Sequence, residues 1–216
     1  MAEKIQEYRG AKITVRFEGA RCIHSRNCVL GDPRVFVPNA KGAWIQPEAT
    51  GAEAVAALVR ACPSGALTYE RTDGGAQESA PVVNVVRLRE NGPLAFHADL
   101  EIAGVGWCHR ATICRCGASA NKPLCDGNHT AVNFVASGEA VCAEPGEALA
   151  QRDGPLVVNP TLDGPLHVVG NLEVVSGTGR TIQRTAEAWL CRCGHSASKP
   201  FCDGSHKRVG FKAPGV

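Results

Sequence analysis

The amino-acid sequence predicts an α+β protein, in which a small N-terminal domain is followed by a β-rich region with internal pseudo-two-fold symmetry. Three observations lead to this prediction. The 216 residues include 24 Gly and 13 Pro but only 5% aromatics, which favours short elements joined by many turns. The last two thirds of the chain contain a repeated segment, and two similar halves most naturally pack around a two-fold axis. The first 70 residues lack this repeat and contain one Ala-rich helical pattern instead.

The N-terminal region shows two periodic patterns. Residues 12–17 alternate between apolar and polar side chains, which predicts a strand. Residues 51–62 have the period of an amphipathic helix, and we expect Ala54, Leu58 and Ala61 to share its buried face.

The boundary between the two domains is predicted from composition. Residues 66–69 are apolar and aromatic enough for a closing strand, whereas residues 71–81 are rich in Gly, Ser and Asp and resemble a linker. We therefore assign residues 1–76 to the N-terminal domain and residues 82–216 to the repeated one.

The repeat itself consists of a G-P-L turn, a β-rich run and a cysteine-rich loop. The turns contain Gly92 and Gly164, and the loops begin at Cys114 and Cys191. The second copy is five residues longer between these two points, and we place the extra residues within 176–184. Residues 82–88 and 166–175 are further predicted strands.

Each cysteine-rich loop contains three cysteines and one histidine at the same spacing. Three thiolates and one imidazole make a complete ligand set for a metal centre. The chain has 11 cysteines, an odd number, and no export signal, so a disulfide framework is disfavoured. The eight predicted ligands, within motifs 114–129 and 191–206, are Cys114, Cys116, Cys125 and His129 in the first copy and Cys191, Cys193, Cys202 and His206 in the second.

Residue types alone leave the metal open. Zinc accepts a Cys3His set, but zinc sites usually pair their cysteines as C-x2-C or wider. The C-x-C spacing favours two thiolates on one iron of a cluster, which leaves Cys125 and His129 for the other iron. A helix that begins near residues 126–127 would let both side chains face one cluster, and its N-terminus would favour the cluster's negative charge.

The two loops strongly resemble the CDGSH (mitoNEET-like) iron–sulfur domain family. They contain C-R-C-G-A-S-A-N-K-P-L-C-D-G-N-H and C-R-C-G-H-S-A-S-K-P-F-C-D-G-S-H, which follow the family pattern, except that Asn128 stands where the family has a small residue. The resemblance covers about residues 82–213. It implies one [2Fe–2S] cluster at each site, held by three Cys and one His, and an intramolecular version of the family's two-module packing.

The N-terminal domain resembles divergent single-cluster bacterial ferredoxins. Cys22 and Cys28 form a C-x5-C motif, and Cys62 is followed by proline. This resemblance implies a ferredoxin-like domain with a [3Fe–4S] cluster, or a [4Fe–4S] cluster if a fourth ligand is present; an empty, degenerate site is the alternative. Ser25 stands where a four-cysteine ferredoxin has its extra cysteine, and His24 is next to it.

The other cysteines and histidines have no matching partner in the repeat. We expect Cys108 and Cys142 to be buried thiols, and His195 to support the second site without binding metal. His97, His109 and His167 are expected to remain unligated.

These observations predict an iron–sulfur protein that acts in electron transfer. The alternatives are cluster transfer or redox and pH sensing, and a zinc-binding interaction module. No Ser-His-Asp set, P-loop or dinucleotide-binding motif is present, so we expect no enzymatic activity.

The expected partners are a redox protein or an apo-acceptor protein. Basic and acidic residues are evenly mixed, which disfavours nucleic acid, and no apolar run is long enough for a membrane span. We expect a cytoplasmic monomer in which the two repeats form a pseudo-dimer.

Overall fold

The computed structural model describes residues 5–140 and 145–216, so Cys142 lies outside the described residues. The chain divides into two compact units, Met1–Ser79 and Ala80–Val216. Over the described residues the regular structure is mostly β-strand, with a few short helices. No helix among the described residues has both the length and the apolar character that a bilayer crossing requires.

The first unit is a three-stranded antiparallel sheet with two helices. The strand order is β1-β2-β3, and the 3-10 turns Gly19–Arg21 and Pro47–Ala49 complete the unit. The elements are β1 (Gln6–Arg9), β2 (Ile13–Phe17), α1 (Asn27–Gly31), α2 (Ala52–Arg60) and β3 (Leu67–Arg71).

The buried face of α2 differs from the predicted one. Ala54 and Ala61 are exposed and Leu58 is only half-buried, whereas Val55 and Val59 are fully buried. The helical period is present, but valine side chains bury more apolar surface than alanine side chains. The face that contains Val55 and Val59 therefore packs against the core.

The second unit contains a six-stranded sheet and two single-turn helices. Its core consists of aliphatic side chains from all six strands together with Phe96. The elements are β4 (Val85–Leu88), β5 (Leu94–Ile102), β6 (Gly106–Ile113), α3 (Asn128–Ala131), β7 (Pro155–Pro160), β8 (Leu166–Val175), β9 (Thr181–Leu190) and α4 (Ser205–Arg208).

The two repeats of this unit exchange their leading strands. In the first repeat, β4 pairs antiparallel with β5 and also parallel with β8 of the second repeat. In the second repeat, β7 pairs antiparallel with β8 and also parallel with β5 of the first. Each repeat also contains a long hairpin, β5–β6 or β8–β9, and the second hairpin has longer strands and a longer turn. Each cysteine-rich loop begins where its hairpin ends.

Candidate metal centres

The cysteine-rich loops are anchored to the last strands of the two hairpins. Cys114 follows directly after β6, and its backbone N–H donates to the Pro123 carbonyl at 2.9 Å. Cys125 then returns its own N–H to the Thr112 carbonyl at 2.8 Å. These two bonds fold the loop back on itself and bring Cys125 beside the C-x-C segment. The second loop makes the equivalent bonds, from Cys191 to Pro200 at 2.7 Å and from Cys202 to Trp189 at 2.8 Å.

The structure brings the predicted ligands together in pairs. Two ligands bound tetrahedrally to one metal at ~2.3 Å lie ~3.7 Å apart. The observed separations are close to this value. They are 3.6 Å between the Sγ atoms of Cys114 and Cys116, 3.4 Å between Cys125 Sγ and His129 Nδ1, 3.7 Å between the Sγ atoms of Cys191 and Cys193, and 3.3 Å between Cys202 Sγ and His206 Nδ1.

Each loop therefore presents two pairs, and each pair has the spacing of two ligands on one metal atom. In the part of the chain that the structure describes, no three or more Cys, His, Asp or Glu side chains surround one point as ligands of a single ion. A two-iron cluster takes two protein ligands on each iron, and the donor set of three thiols and one imidazole fits that requirement.

Backbone N–H groups point at four of the thiols. Each bond favours the thiolate form because it donates to the negative sulfur. The sequence suggests a helix that begins near residues 126–127 and favours the cluster's charge, but α3 begins at Asn128, and both α3 and α4 are single turns that are too short for a macrodipole. Individual amides replace it. They are Ala118 N to Cys116 at 3.5 Å, Gly127 N to Cys125 at 3.5 Å, His195 N to Cys193 at 3.4 Å and Gly204 N to Cys202 at 3.4 Å.

Burial opposes ionisation of most of these groups. It raises the pKa of Cys125 and of Cys193 to about 11 and lowers the pKa of His129. Cys114 differs, because the hydrogen bond from Cys116 lowers its pKa to about 6. Metal binding replaces the thiol protons, so a bound cation would keep these sulfurs as thiolates.

Side chains that are identical in both repeats hold the loops. The Ser119 hydroxyl donates to a loop carbonyl at 2.7 Å, and Ser196 does the same at 2.6 Å. Asp126 and Asp203 each accept two backbone N–H bonds, which lower the pKa of Asp203. The aspartates were not among the predicted site residues, although their recurrence in both copies was a usable signal.

The second repeat differs from the first at a few positions near its site. His195 is exposed and stands where the first repeat has Ala118. The exposed Trp189 stacks on His167 with ring centroids 4.1 Å apart, and His167 Nε2 lies 2.7 Å from a carboxylate oxygen of Glu187. No equivalent aromatic pair exists in the first repeat, because Ala95 and Thr112 occupy those positions.

The two C-x-C segments meet at their glycines. A Cβ atom placed on Gly117 would lie 2.8 Å from the Cys193 carbonyl oxygen, and one on Gly194 would lie 2.8 Å from that of Cys116. Only glycine permits this approach. A cavity of about 400 Å³ lies at the junction, and Cys116 and Cys193 both line it.

The N-terminal unit gathers its three predicted cysteines around a narrow cavity. Cys22, Cys28 and Cys62 line it together with Ser25 and Ser64. Burial raises the pKa of Cys22 and of Cys28, and electrostatic interaction with Cys62 raises both further.

Two hydroxyls accompany these thiols. Ser64, which was not predicted, is buried with its Oγ 3.5 Å from Cys62 Sγ, and Ser25 also faces the cavity. His24 is exposed and its backbone adopts a positive φ of 53°. A trio of thiols with an adjacent hydroxyl fits a three-iron cluster or a four-iron cluster with one oxygen ligand.

The remaining described cysteine, Cys108, is half-buried on β6 and packs against the core of the second unit. None of the ten described cysteines forms a disulfide. This leaves the thiols of the three gathered groups in the form in which they can bind metal.

Comparison with known proteins gives matches in both units. Residues 8–72 match the family model "Divergent 4Fe-4S mono-cluster", and residues 82–130 and 163–207 match "Iron-binding zinc finger CDGSH type". The uncharacterized protein YjdI of Escherichia coli strain K12 is 44% identical over 62 residues, which cover 29% of this chain and 80% of the relative. YjdI of Escherichia coli O157:H7 matches with the same values.

Proposed function

The chain belongs to the CDGSH iron–sulfur family, with a divergent 4Fe-4S mono-cluster domain before the CDGSH pair, and from this premise we propose that it is an electron-transfer protein. The observation that carries the proposal is the meeting of two complete Cys3His sets at Gly117 and Gly194, where a ligand thiol of each set lines one cavity. Redox centres that adjoin in this way suit the passage of single electrons. We expect no substrate chemistry of the protein's own.

Each CDGSH site would hold a [2Fe–2S] cluster, with one iron on the C-x-C pair and the other on the Cys–His pair. Such a cluster supplies reversible one-electron transfer. The protein's part is to hold the four ligands, to direct amide N–H groups at the sulfurs, and to bury most of the thiols. The separations of 3.3–3.7 Å within the ligand pairs support this assignment.

The two repeats would form an intramolecular pseudo-dimer related by a pseudo-two-fold axis, in an α+β chain that is a monomer. The reciprocal pairing of β4 with β8 and of β7 with β5 supports this arrangement, as do the reciprocal contacts of Gly117 and Gly194. A closed pair of this kind needs no second chain to complete either site.

The N-terminal unit would hold a third centre on Cys22, Cys28 and Cys62. Three thiolates suit a [3Fe–4S] cluster, whereas Ser25 could provide an oxygen ligand for a [4Fe–4S] cluster. The partner would be a redox protein of the cytoplasm, where thiols remain reduced.

Iron and sulfide analysis with EPR after anaerobic purification tests this function. Two [2Fe–2S] clusters hold about four irons and four sulfides per chain, and a filled N-terminal site adds about three or four irons. Cys22→Ser should remove only the additional iron, and Cys108→Ser, outside the three ligand groups, should remove none. Protein that contains zinc and no acid-labile sulfide would contradict the proposal.

Cluster transfer or redox and pH sensing is the second candidate. Cys202 and His206 are only half-buried, so solvent can reach one pair of ligands. Incubation with an apo-ferredoxin distinguishes the two functions. Movement of iron and sulfide to the acceptor at a rate that depends on oxidation state or pH favours transfer and sensing, and retention through repeated redox cycles favours electron transfer.

A further inference from the structure

Two arginines are buried at the centre of the CDGSH unit. Arg115 lies between the two cysteines of the first C-x-C segment and Arg192 between those of the second. Their exposed fractions are 2% and 1%, and both are among the largest fully buried side chains. Burial of a guanidinium is costly unless the charge is compensated.

Backbone carbonyls surround both guanidinium groups. They accept the N–H donors, but as neutral groups they do not cancel the positive charge. Aromatic rings lie beside them, with Arg115 Cζ 5.6 Å from the centre of Phe134 and Arg192 Cζ 5.4 Å from that of Phe211. The hydrogen bonds include Arg115 Nε to Gly92 O at 2.6 Å, Arg115 Nη2 to Ser137 O at 3.3 Å, Arg192 Nε to Gly164 O at 3.0 Å and Arg192 Nη1 to Pro214 O at 3.0 Å.

Neither charge is neutralised by an ion pair with a carboxylate within residues 5–140 and 145–216. In addition, Arg115 Nη1 is buried without a hydrogen-bond partner among the described atoms. Neither guanidinium therefore has a described carboxylate in direct contact, and one donor of Arg115 has no described acceptor.

The groups that interact electrostatically with the arginines are ligand cysteines and, for Arg192, also the carboxylate of Asp163. Burial lowers the pKa of Arg115 to about 10, while the sulfurs of Cys191 and Cys116 oppose that shift. Burial likewise lowers the pKa of Arg192, while Cys114 and Asp163 oppose that shift. Each arginine interacts with a ligand of the opposite repeat, as the close approach of the two C-x-C segments requires.

We propose that Arg115 and Arg192 are the buried counter-charges of the CDGSH clusters, and that each compensates the cluster of the opposite repeat. The inference rests on the [2Fe–2S] assignment above. Such a cluster with three thiolates and a neutral imidazole has one net negative charge when both irons are ferric, and one arginine per repeat balances it.

Removal of either arginine should make reduction harder. One electron from dithionite makes the cluster more negative by one charge, and a nearby buried positive charge stabilises that form. Without it, the ratio of reduced to oxidised cluster at a given potential should fall at least about tenfold, which corresponds to a midpoint lower by ~59 mV.

The test isolates the effect across the repeats. Cys125→Ser disables the first CDGSH site, so the reduced [2Fe–2S] EPR signal of this chain comes from the second site alone. Arg115→Met in this background should lower the midpoint in an EPR-monitored dithionite titration. Arg115→Lys keeps the charge, so the ratio of reduced to oxidised cluster at a given potential should stay within about twofold of the parent. The same is expected of Arg208→Met, because Arg208 is exposed and its charge is screened by solvent.

The effect of Arg192 on the cluster of the first repeat is measured in the same way, with Arg192→Met in a chain whose second site is disabled by Cys202→Ser. A retained cluster with an unchanged midpoint in the Met variants overturns the proposal. If the Met variants lose their clusters, the Lys variants decide. Lys variants that keep their clusters at the parental midpoint support the proposal. Lys variants that also lose their clusters overturn it in favour of a purely structural role. Failure of the [2Fe–2S] assignment is detected separately, in the iron and sulfide content of the wild type.

Discussion

The contact between the two C-x-C segments can be tested by adding a single methyl group. Gly117 has a φ of +82°, and a Cβ atom on it would lie 2.8 Å from the Cys193 carbonyl oxygen. Gly117→Ala therefore meets two penalties, the left-handed backbone and the overlap with the other repeat. Gly127 has a similar φ of +88°, but no described atom would lie within 4 Å of its Cβ. Gly127→Ala is thus a matched control for backbone strain alone.

The expected difference follows from these two contributions. A left-handed conformation costs an L-residue about 1–2 kcal/mol, and this cost is common to both variants. Overpacking against backbone adds about 1–3 kcal/mol for Gly117→Ala only. Since ~1 kcal/mol corresponds to about 2–4 °C in a domain of this size, Gly117→Ala should melt measurably below Gly127→Ala.

The assay is thermal and guanidinium unfolding of the metal-free, reduced chain, followed by circular dichroism. Metal-free protein is used so that loss of a cluster does not contribute to the measured free energy of unfolding. Gly194→Ala should repeat the result, because its Cβ would meet the Cys116 carbonyl oxygen at the same distance. Equal losses in Gly117→Ala and Gly127→Ala would refute the packing of the two segments against each other.

Three other predictions concern single side chains. Ser196→Ala should lower the free energy of unfolding by about 1 kcal/mol, because it removes the hydrogen bond from this buried side chain to a part-buried loop carbonyl, whereas the exposed Ser198→Ala should change it by less than about 0.5 kcal/mol. Lys212 holds the pKa of Asp163 below its usual range, so their ion pair stabilises the fold above about pH 4, and this stabilisation is lost as the pH falls through the lowered pKa. Asp163→Asn should therefore flatten the acid limb of a plot of melting temperature against pH. An unchanged acid limb would contradict this prediction. His206→Cys should lower the midpoint potential of the second cluster in protein-film voltammetry, since a thiolate replaces a neutral ligand, and an unaltered potential would argue against His206 as a ligand.

The elements that the sequence predicted well are those with a strong local pattern. Strand β8 occupies the predicted residues 166–175, and β2 lies within the predicted 12–17. The ligand pairs could be proposed because four residue types recur at fixed spacing, and a short spacing limits how far apart two side chains can lie. Strand β1 was missed, because its sequence QEYR is polar and its stability comes from pairing with β2.

Other features depend on tertiary contacts that local patterns do not contain. The prediction of the buried face of α2 was wrong, because the sheet against which the helix packs decides whether the side of Ala54 or that of Val55 is buried. Arg115 and Arg192 have the appearance of exposed charges in the sequence, and only the folded chain shows that carbonyls enclose them. Ser64 was missed because its nearness to Cys62 arises from the turn after α2.

The exchange of leading strands has a consequence for how the two sites can change over generations. Because β4 and β7 each pair with strands of both repeats, neither repeat can be lost while the other keeps its neighbouring strands. Each repeat is nevertheless encoded separately, so a mutation alters the site of one repeat and leaves the site of the other repeat unchanged. A dimer of identical chains has no such freedom, since every mutation there appears twice. His195 opposite Ala118, and Trp189 where the first hairpin has Thr112, are differences that one chain with two copies can accumulate and a symmetric dimer cannot.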